Sequence, residues 1–194
     1  MRRWPRVGKP DKIRAAALVE FAARGVEATS LREVASRAGV SVGLIQHHFG
    51  SKAVLVEAVD RHVTDLLRTA LASGPGAVTV DDFGEQVMAL LVQHPGVVDY
   101  LARSLVDETP FGSMIFDNLI EMGIARWERR SKEGHTVADL DTPWAAINVI
   151  ALFIGTVLLR SHIERQLPAS LLSPAQMVRW GTAVNKLLAQ GYSR

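Results

Sequence analysis

The sequence predicts an all-α fold of about nine helices, with an N-terminal helix-turn-helix followed by a larger helical part. Helix-capping residues recur along the chain, as do the glycines and prolines that end helices. No stretch alternates polar and apolar residues with the period of two that a half-buried strand requires. With 48% hydrophobic residues among 194, the chain can fill a substantial core.

Capping signals define the first two predicted helices. Residues 11–24 carry apolar side chains on one face of a helix, and Gly25 follows where a left-handed C-terminal cap belongs. Ser30 and Glu33 have the spacing of a capping box, in which each side chain binds the other residue's backbone amide. A second helix therefore starts after Ser30, and Gly39 ends it because glycine adopts positive φ without a Cβ penalty.

A short third helix and a long fourth helix complete the predicted N-terminal region. Ser41 can cap the third helix, Val42–Phe49, and the fourth is expected over 52–72. Two short helices joined by a glycine turn predict a helix-turn-helix. We call residues 1–54 the head and residues 55–194 the body, and the fourth helix links them.

Proline and glycine positions divide the body into further helices. A linker rich in glycine and proline is predicted at 73–77. The apolar run from Trp144 to Leu159 has 16 residues, fewer than the ~20 that cross a bilayer, so we interpret it as a helix buried in protein, without membrane contact. The predicted helices of the body cover 80–93, 96–107, 111–131, 143–166 and 174–190.

Charge is unevenly distributed along the chain. Residues 1–52 hold ten Lys/Arg and four Asp/Glu, a net charge of +6, whereas residues 53–194 hold twelve and sixteen, a net charge of −4. A basic region on a nearly neutral chain suits a polyanion such as DNA, because neutralised phosphates supply much of the affinity. On charge alone, a solvated basic surface without a partner explains the asymmetry equally well.

Composition limits the compartment and the chemistry. The chain has no cysteine, which excludes disulfides, thiolate metal sites and cysteine nucleophiles. Charged residues between Gly8 and Arg14 stand where the apolar part of a signal peptide should follow the basic start. We therefore expect a cytoplasmic protein with no cofactor and no metal.

The third helix carries the expected base contacts, because the second helix of a helix-turn-helix lies in the major groove. Gln46 can pair with an adenine edge, and Leu44 or Val42 can contact a thymine methyl, each contact contributing ~1–3 kcal/mol of discrimination. His48, next to Phe49, is expected to pack inward. The side chains expected to face outward are those of Val42, Gly43, Leu44, Gln46 and His47.

Phosphate contacts are expected around this helix. Ser30 and Ser41 stand at helix N-termini, where the backbone amides and the helix dipole both favour an anion. His47 and Lys52 can hold further phosphates on the flank. Arg32 is also well placed, although its long side chain can simply remain solvated.

Four closely spaced motifs of the head share both residue types and spacing with one known family. They are Thr29-Ser30-Leu31-Arg32-Glu33-Val34-Ala35, Ala38-Gly39-Val40-Ser41, Gly43-Leu44-Ile45 and His47-His48-Phe49-Gly50-Ser51-Lys52. Together they resemble the DNA-binding domain of the TetR family of transcriptional regulators, over about residues 13–59. The resemblance implies backbone contacts by Ser41, His47 and Lys52, and it adds Thr29 to the expected contacts.

Gln46 departs from the family pattern. The family most often has a tyrosine there, whose hydroxyl usually touches a phosphate. Glutamine is shorter and can contact a base edge instead, so we assign base recognition to Gln46.

The resemblance also implies how the body is organised. In the family, the last two long helices pack against their symmetry mates as a four-helix bundle, and the middle helices enclose an effector pocket. This implies a homodimer that places two heads on an inverted-repeat operator, and a repressor that a small-molecule effector releases.

Candidate residues follow from that implied architecture. The apolar dimer candidates can also pack within one subunit, and each pocket candidate can also be ordinary core or surface. The dimer candidates are Ile147, Ala151, Ile154, Leu158, Trp180, Val184 and Leu187. The pocket candidates are Tyr100, Asn118, Met122, Trp127, Asn148, Phe153 and His162.

Two other classes of function remain as alternatives. A helical interaction module could use the basic head to bind a protein or an anionic membrane surface. An enzyme is disfavoured because the chain has no His-Glu-x-x-His pattern, no Gly-x-Ser-x-Gly elbow and no phosphate-binding glycine loop before a helix.

Overall fold

The computed structural model describes residues 8–72, 89–90 and 92–192. Within these ranges the chain is helical apart from turns, loops and one isolated bridge residue, which confirms the all-α fold. Nine helices have described bounds: α1 Lys9–Arg24, α2 Leu31–Ala38, α3 Val42–Phe49, α4 Lys52–Ala72, α5 Pro95–Val106, α6 Pro110–Lys132, α7 Thr142–Leu158, α8 Arg160–Glu164 and α9 Pro174–Tyr192. The predicted linker at 73–77 and most of the predicted helix at 80–93 lie outside the described residues.

Local sequence signals place α2 and α3 at their predicted bounds. The Ser30 hydroxyl accepts a hydrogen bond from the Glu33 amide at 3.3 Å, and the Glu33 carboxylate accepts one from the Ser30 amide at 2.8 Å. Gly39 ends α2 with φ 65° and ψ 39°, the left-handed conformation that glycine adopts at low cost. Ser41 then caps α3 by accepting from the Leu44 amide at 3.2 Å.

The core of the head continues into the body. Ile13, Val34 and Ile45 are fully buried where α1, α2 and α3 meet. The same cluster extends along α4 and reaches α5 and α6, so it crosses the predicted boundary after residue 54. Its buried members beyond that boundary are Leu55, Val59, Val63, Val97, Tyr100, Phe111 and Ile115.

Within the body, α6 and α7 pack closely because small residues face each other. A Cβ added to Gly123 would lie 2.9 Å from the Cβ of Ala146. A second core cluster joins this helix pair to α9, with Trp127, Ala145 and Phe153 beside Val184. None of the described helices has both the length and the apolar character to cross a membrane.

The helix predicted over 143–166 is broken at Leu159 rather than continuous. α7 ends at Leu158, and the short α8 begins at Arg160. Neither glycine nor proline marks this break in the sequence. A guanidinium nitrogen of Arg160 lies 3.2 Å from a carboxylate oxygen of Asp99 on α5, a contact between residues far apart in the chain.

Gly112 is a sensitive point of the packing between α5 and α6. A Cβ there would lie 2.3 Å from the Ser104 carbonyl oxygen, so Gly112→Ala must push the two helices apart. We expect the free energy of unfolding to fall by about 1–3 kcal/mol, measured by urea denaturation. Gly191→Ala is the control, because its added Cβ meets nothing within 4 Å and stability should not fall. Equal losses in both variants would contradict the packing argument.

Candidate nucleic-acid interface

α3 lies on the head with one face buried and the other accessible. Ile45 is fully buried, and Val42 and Phe49 pack partly buried against the head core. Gly43, Gln46 and His47 are exposed, and the spacings of three and four residues place them on one helical face. The arrangement therefore presents a polar face of α3 in the manner that groove binding requires.

Two side chains of α3 lie differently from the prediction. Val42, expected to face outward, is half-buried and packs against the head core. His48, expected to pack inward, is exposed and its ring lies 5.2 Å from that of His47 in an edge-on contact. Leu44, half-buried, precedes His48 by four residues, which places both on the same flank of the helix.

Thr29 is a buried structural residue, contrary to its predicted role as a DNA contact. Its side chain is 1% exposed. The hydroxyl donates to the Gly25 carbonyl at 2.8 Å and also lies 3.3 Å from the Glu20 carbonyl. Thr29 therefore ties the end of α1 to the start of α2.

The N-termini of α2 and α3 differ in their capacity to bind an anion. At α2 the Ser30 hydroxyl donates its hydrogen to Glu33 at 2.9 Å, and the Glu33 carboxylate already lies beside the helix N-terminus. Backbone and hydroxyl hydrogen bonds from Ser30 lower the pKa of Glu33, which favours the charged form. At α3 the first turn has no acidic residue, and the Ser41 hydroxyl acts as an acceptor. Its hydrogen can therefore be donated to a phosphate oxygen.

Ion pairs within the head neutralise part of its positive charge. Arg24 pairs with Glu33, and both Arg24 and Arg37 contact the buried carboxylate of Glu20. These pairs link α1 to α2 and lessen the charge offered to DNA. Arg32 is exposed and has no ion-pair partner among the described residues.

Lys52 has a structural contact as well as a position beside the interface. Its ammonium donates to the Glu27 carbonyl at 3.2 Å, and the residue is half-buried at the start of α4. An ammonium carries three hydrogens, so this bond leaves donors for a phosphate.

Tyr100 connects the head, α4 and the body. Its ring lies 6.4 Å from Phe21 of α1 and 5.9 Å from Phe111 of α6, measured between centroids. Its hydroxyl donates to an Asp60 carboxylate oxygen on α4 at 2.6 Å. Burial raises the pKa of Asp60, and the bond from Tyr100 partly opposes that rise. Burial, followed by the bond to Asp60, raises the pKa of Tyr100, so the phenol remains a donor.

The seven predicted pocket residues divide into buried and exposed groups. Three are buried in the core, where Trp127 contacts Tyr192 and Phe153 contacts Trp180, each ring edge-on. The buried three are Tyr100, Trp127 and Phe153, and the exposed four are Asn118, Met122, Asn148 and His162. A cavity of about 440 Å³ lies elsewhere, between α1, α5 and the end of α7, and none of the seven lines it.

The predicted dimer residues divide into exposed and buried groups. Val184 is 5% exposed and packs within its own subunit, contrary to its predicted place in the interface. Trp180 is half-buried against the same cluster. Leu158 and Leu187 are 41% and 61% exposed, so their apolar surface is accessible. Ala151 is exposed, and Ile147 and Ile154 are half-buried on the same helix, α7.

Comparison with known proteins places the head in a family of regulators. Residues 13–59 match the family described as bacterial regulatory proteins, tetR family. Over 105 residues the chain is 37% identical to the HTH-type transcriptional repressor Rv3405c of Mycobacterium tuberculosis, covering 53% of this chain and 50% of that protein. The chain thus spans about half the length of the curated relatives it matches.

Solved structures show the same fold over nearly the whole chain. The ketosteroid transcriptional regulator KstR2 of Mycobacterium tuberculosis has a TM-score of 0.72 at 21% identity, with 96% of each chain covered. A gamma-butyrolactone receptor described as ArpA-like has a TM-score of 0.71 at 21% identity, covering 96% of this chain and 88% of the receptor. At these identities the likeness concerns the fold. The matched relatives are regulators rather than enzymes.

The two helix caps allow a direct test of the predicted phosphate contact. Ser30→Ala and Ser41→Ala each remove an N-cap, so each should lower the free energy of unfolding by about 1 kcal/mol. Only Ser41→Ala also removes a hydroxyl hydrogen available to a phosphate, and it should weaken duplex DNA binding about tenfold more than Ser30→Ala. Urea denaturation and fluorescence anisotropy with labelled DNA measure the two effects. Equal losses of DNA affinity would refute the distinction between the two helix ends.

Proposed function

This chain belongs, by its N-terminal domain, to the tetR family of bacterial regulatory proteins, and we propose that it is a sequence-specific DNA-binding repressor. One observation carries the proposal most directly. α3 is fixed on the head through buried Ile45, while Gln46 and His47 are exposed on its other side. The proposed target is an inverted-repeat operator in the cytoplasm, where the chromosome lies.

Seven residues of the interface have proposed roles. The Gln46 amide donates to and accepts from an adenine edge in the major groove. Leu44 contacts a thymine methyl, and the exposed backbone at Gly43 permits close approach. The phosphate contacts come from Arg32, Ser41, His47 and Lys52.

Gln46 and Arg32 test the division between base and phosphate contacts. Gln46→Ala should remove preference at particular base pairs, changing the affinity ratio between matched and mismatched sites by about 5- to 150-fold. Arg32→Gln should weaken all DNA sequences alike and reduce the slope of log affinity against log salt by about 1. Anisotropy titrations at several salt concentrations measure both quantities, on sites recovered from a random DNA library.

Glu108→Gln provides a surface control, because Glu108 is exposed on the body after α5. It should change neither the sequence preference nor the salt slope. If Gln46→Ala and Arg32→Gln had the same effect, the assigned roles would be incorrect. If the library yielded no preferred sequence at all, the repressor proposal would fail.

The proposed homodimer forms through α7 and α9. Exposed apolar side chains on these helices include Trp144, Leu158, Val178 and Leu187, which are 60%, 41%, 69% and 61% exposed in the single chain. Apolar surface of this kind on neighbouring helices favours association with a second copy. A two-fold dimer then presents two α3 helices to adjacent turns of the operator.

Leu187→Arg tests this interface. A charge placed in an apolar contact should dissociate the dimer, shifting the mass measured by light scattering to that of one chain, 21.2 kDa. Met114→Arg is a matched control, since Met114 is an exposed apolar residue on α6. Dissociation by Met114→Arg alone would place the interface on α6 instead.

We further propose that a small-molecule effector controls the affinity for the operator. The gamma-butyrolactone receptor of the same fold supports ligand control as the mode of action. α4 runs from the head to Asp60, where Tyr100 anchors it to the body. An effector that prefers a body conformation with displaced heads lowers operator affinity by the difference between its affinities for the two states.

A further inference from the structure

A cleft of about 440 Å³ lies between α1 of the head and α5, α7 and α8 of the body. Val19, Ala22 and Ala23 of α1 form one wall. Ala102 and Val106 of α5 belong to the opposite side, and the end of α7 with the start of α8 completes the lining. This volume lies in the range that binds small molecules.

The lining combines apolar walls with hydrogen-bond donors. Arg103, Arg160 and Ser161 reach the cleft, and Asp99 is the acidic residue of its lining. Arg160 forms an ion pair with Asp99 through one guanidinium nitrogen, at 3.2 Å. Arg103 donates a hydrogen bond from Nε to the Asp107 carboxylate at 2.8 Å and one from Nη2 to the Arg24 carbonyl at 3.4 Å. Because each guanidinium has five N–H groups, donors remain on both side chains, whereas the Asp99 carboxylate is already paired.

The position of Arg103 relates this cleft to the attachment of the head. Its bond to the Arg24 carbonyl joins α5 to the last residue of α1. Gly25 lies directly against the ion pair of Arg103 and Asp107, since a Cβ at Gly25 would meet the Asp107 carboxylate at 2.6 Å. The cleft thus borders the close contact between α1 and α5.

We propose that this cleft binds a small carboxylate with an apolar body, and that its occupancy weakens the hold of the body on the head. The apolar part lies between Ala23 and Val106, and the carboxylate accepts hydrogen bonds from Arg160 and Arg103. A ligand between α1 and α5 favours the state in which these helices are further apart. The regulatory half of this inference rests on the proposed repressor function, whereas the binding site does not.

Decanoate is a suitable probe, and 1-decanol is its uncharged counterpart. Calorimetry on the full chain, below the concentration at which decanoate forms micelles, should show one site per chain. Decanol should bind at least about tenfold more weakly, because it cannot form charge-assisted hydrogen bonds with the arginines. Arg160→Gln should weaken decanoate binding about tenfold, and Ala23→Trp should abolish it by filling the space.

Matched controls lie on α6, away from the cleft. Arg129→Gln and Ala125→Trp alter exposed residues of the same types and should leave decanoate affinity unchanged. Circular dichroism establishes that the Ala23→Trp chain keeps its helical content. Equal binding by Arg160→Gln, Ala23→Trp and the unmodified chain, or no binding of decanoate to the unmodified chain, overturns the site. Equal affinities for decanoate and decanol overturn its anionic specificity.

DNA affinity is measured as a separate readout. For a preferred sequence from the library, saturating decanoate should reduce affinity about tenfold, and this reduction should disappear in Ala23→Trp. Decanoate that binds but leaves DNA affinity unchanged overturns the regulatory half. If no DNA sequence is preferred, the repressor proposal and the coupling fail together, while calorimetry still decides whether the site exists.

Discussion

The buried contact around Tyr100 is the constraint on which the arrangement of head and body depends. Tyr100 is 2% exposed, lies between Phe21 and Phe111, and holds Asp60 through its hydroxyl. α1, α4, α5 and α6 therefore meet at one side chain. Because a packed core resists continuous deformation, a change in the angle between head and body would require a discrete rearrangement of this contact rather than gradual bending.

Local signals sufficed to predict the helix-turn-helix from the sequence. The Ser30 and Glu33 capping box and the Gly39 turn involve residues within a few positions of each other, so their bounds follow from local chemistry. The predictions were wrong where contacts with residues distant in the sequence determine the local structure. Thr29 is buried because α1 supplies carbonyl partners, and the break after Leu158 has no mark in the local sequence.

The body was less predictable because its sites depend on tertiary packing. The cleft is formed by residues near 20, near 100 and near 160, and many of them are alanine or valine, which carry no chemical signal in a sequence. The apolar run that forms most of α7 was visible in the sequence. Sequence could not separate buried Val184 from exposed Leu187, since both lie on α9 and only the packed neighbours differ.

The continuity of the head core into α4 limits how this protein can be recombined with others. Leu55, Val59 and Val63 belong to the same buried cluster as Ile13 and Ile45. A chimaera joined at residue 54 would pack the side chains of another protein against this head and leave cavities or clashes in that cluster. A transplantable unit must also carry the first three turns of α4 and the α5 surface beneath it. Exchanging DNA specificity between regulators therefore requires matching the two packing surfaces as well as changing the side chains of α3.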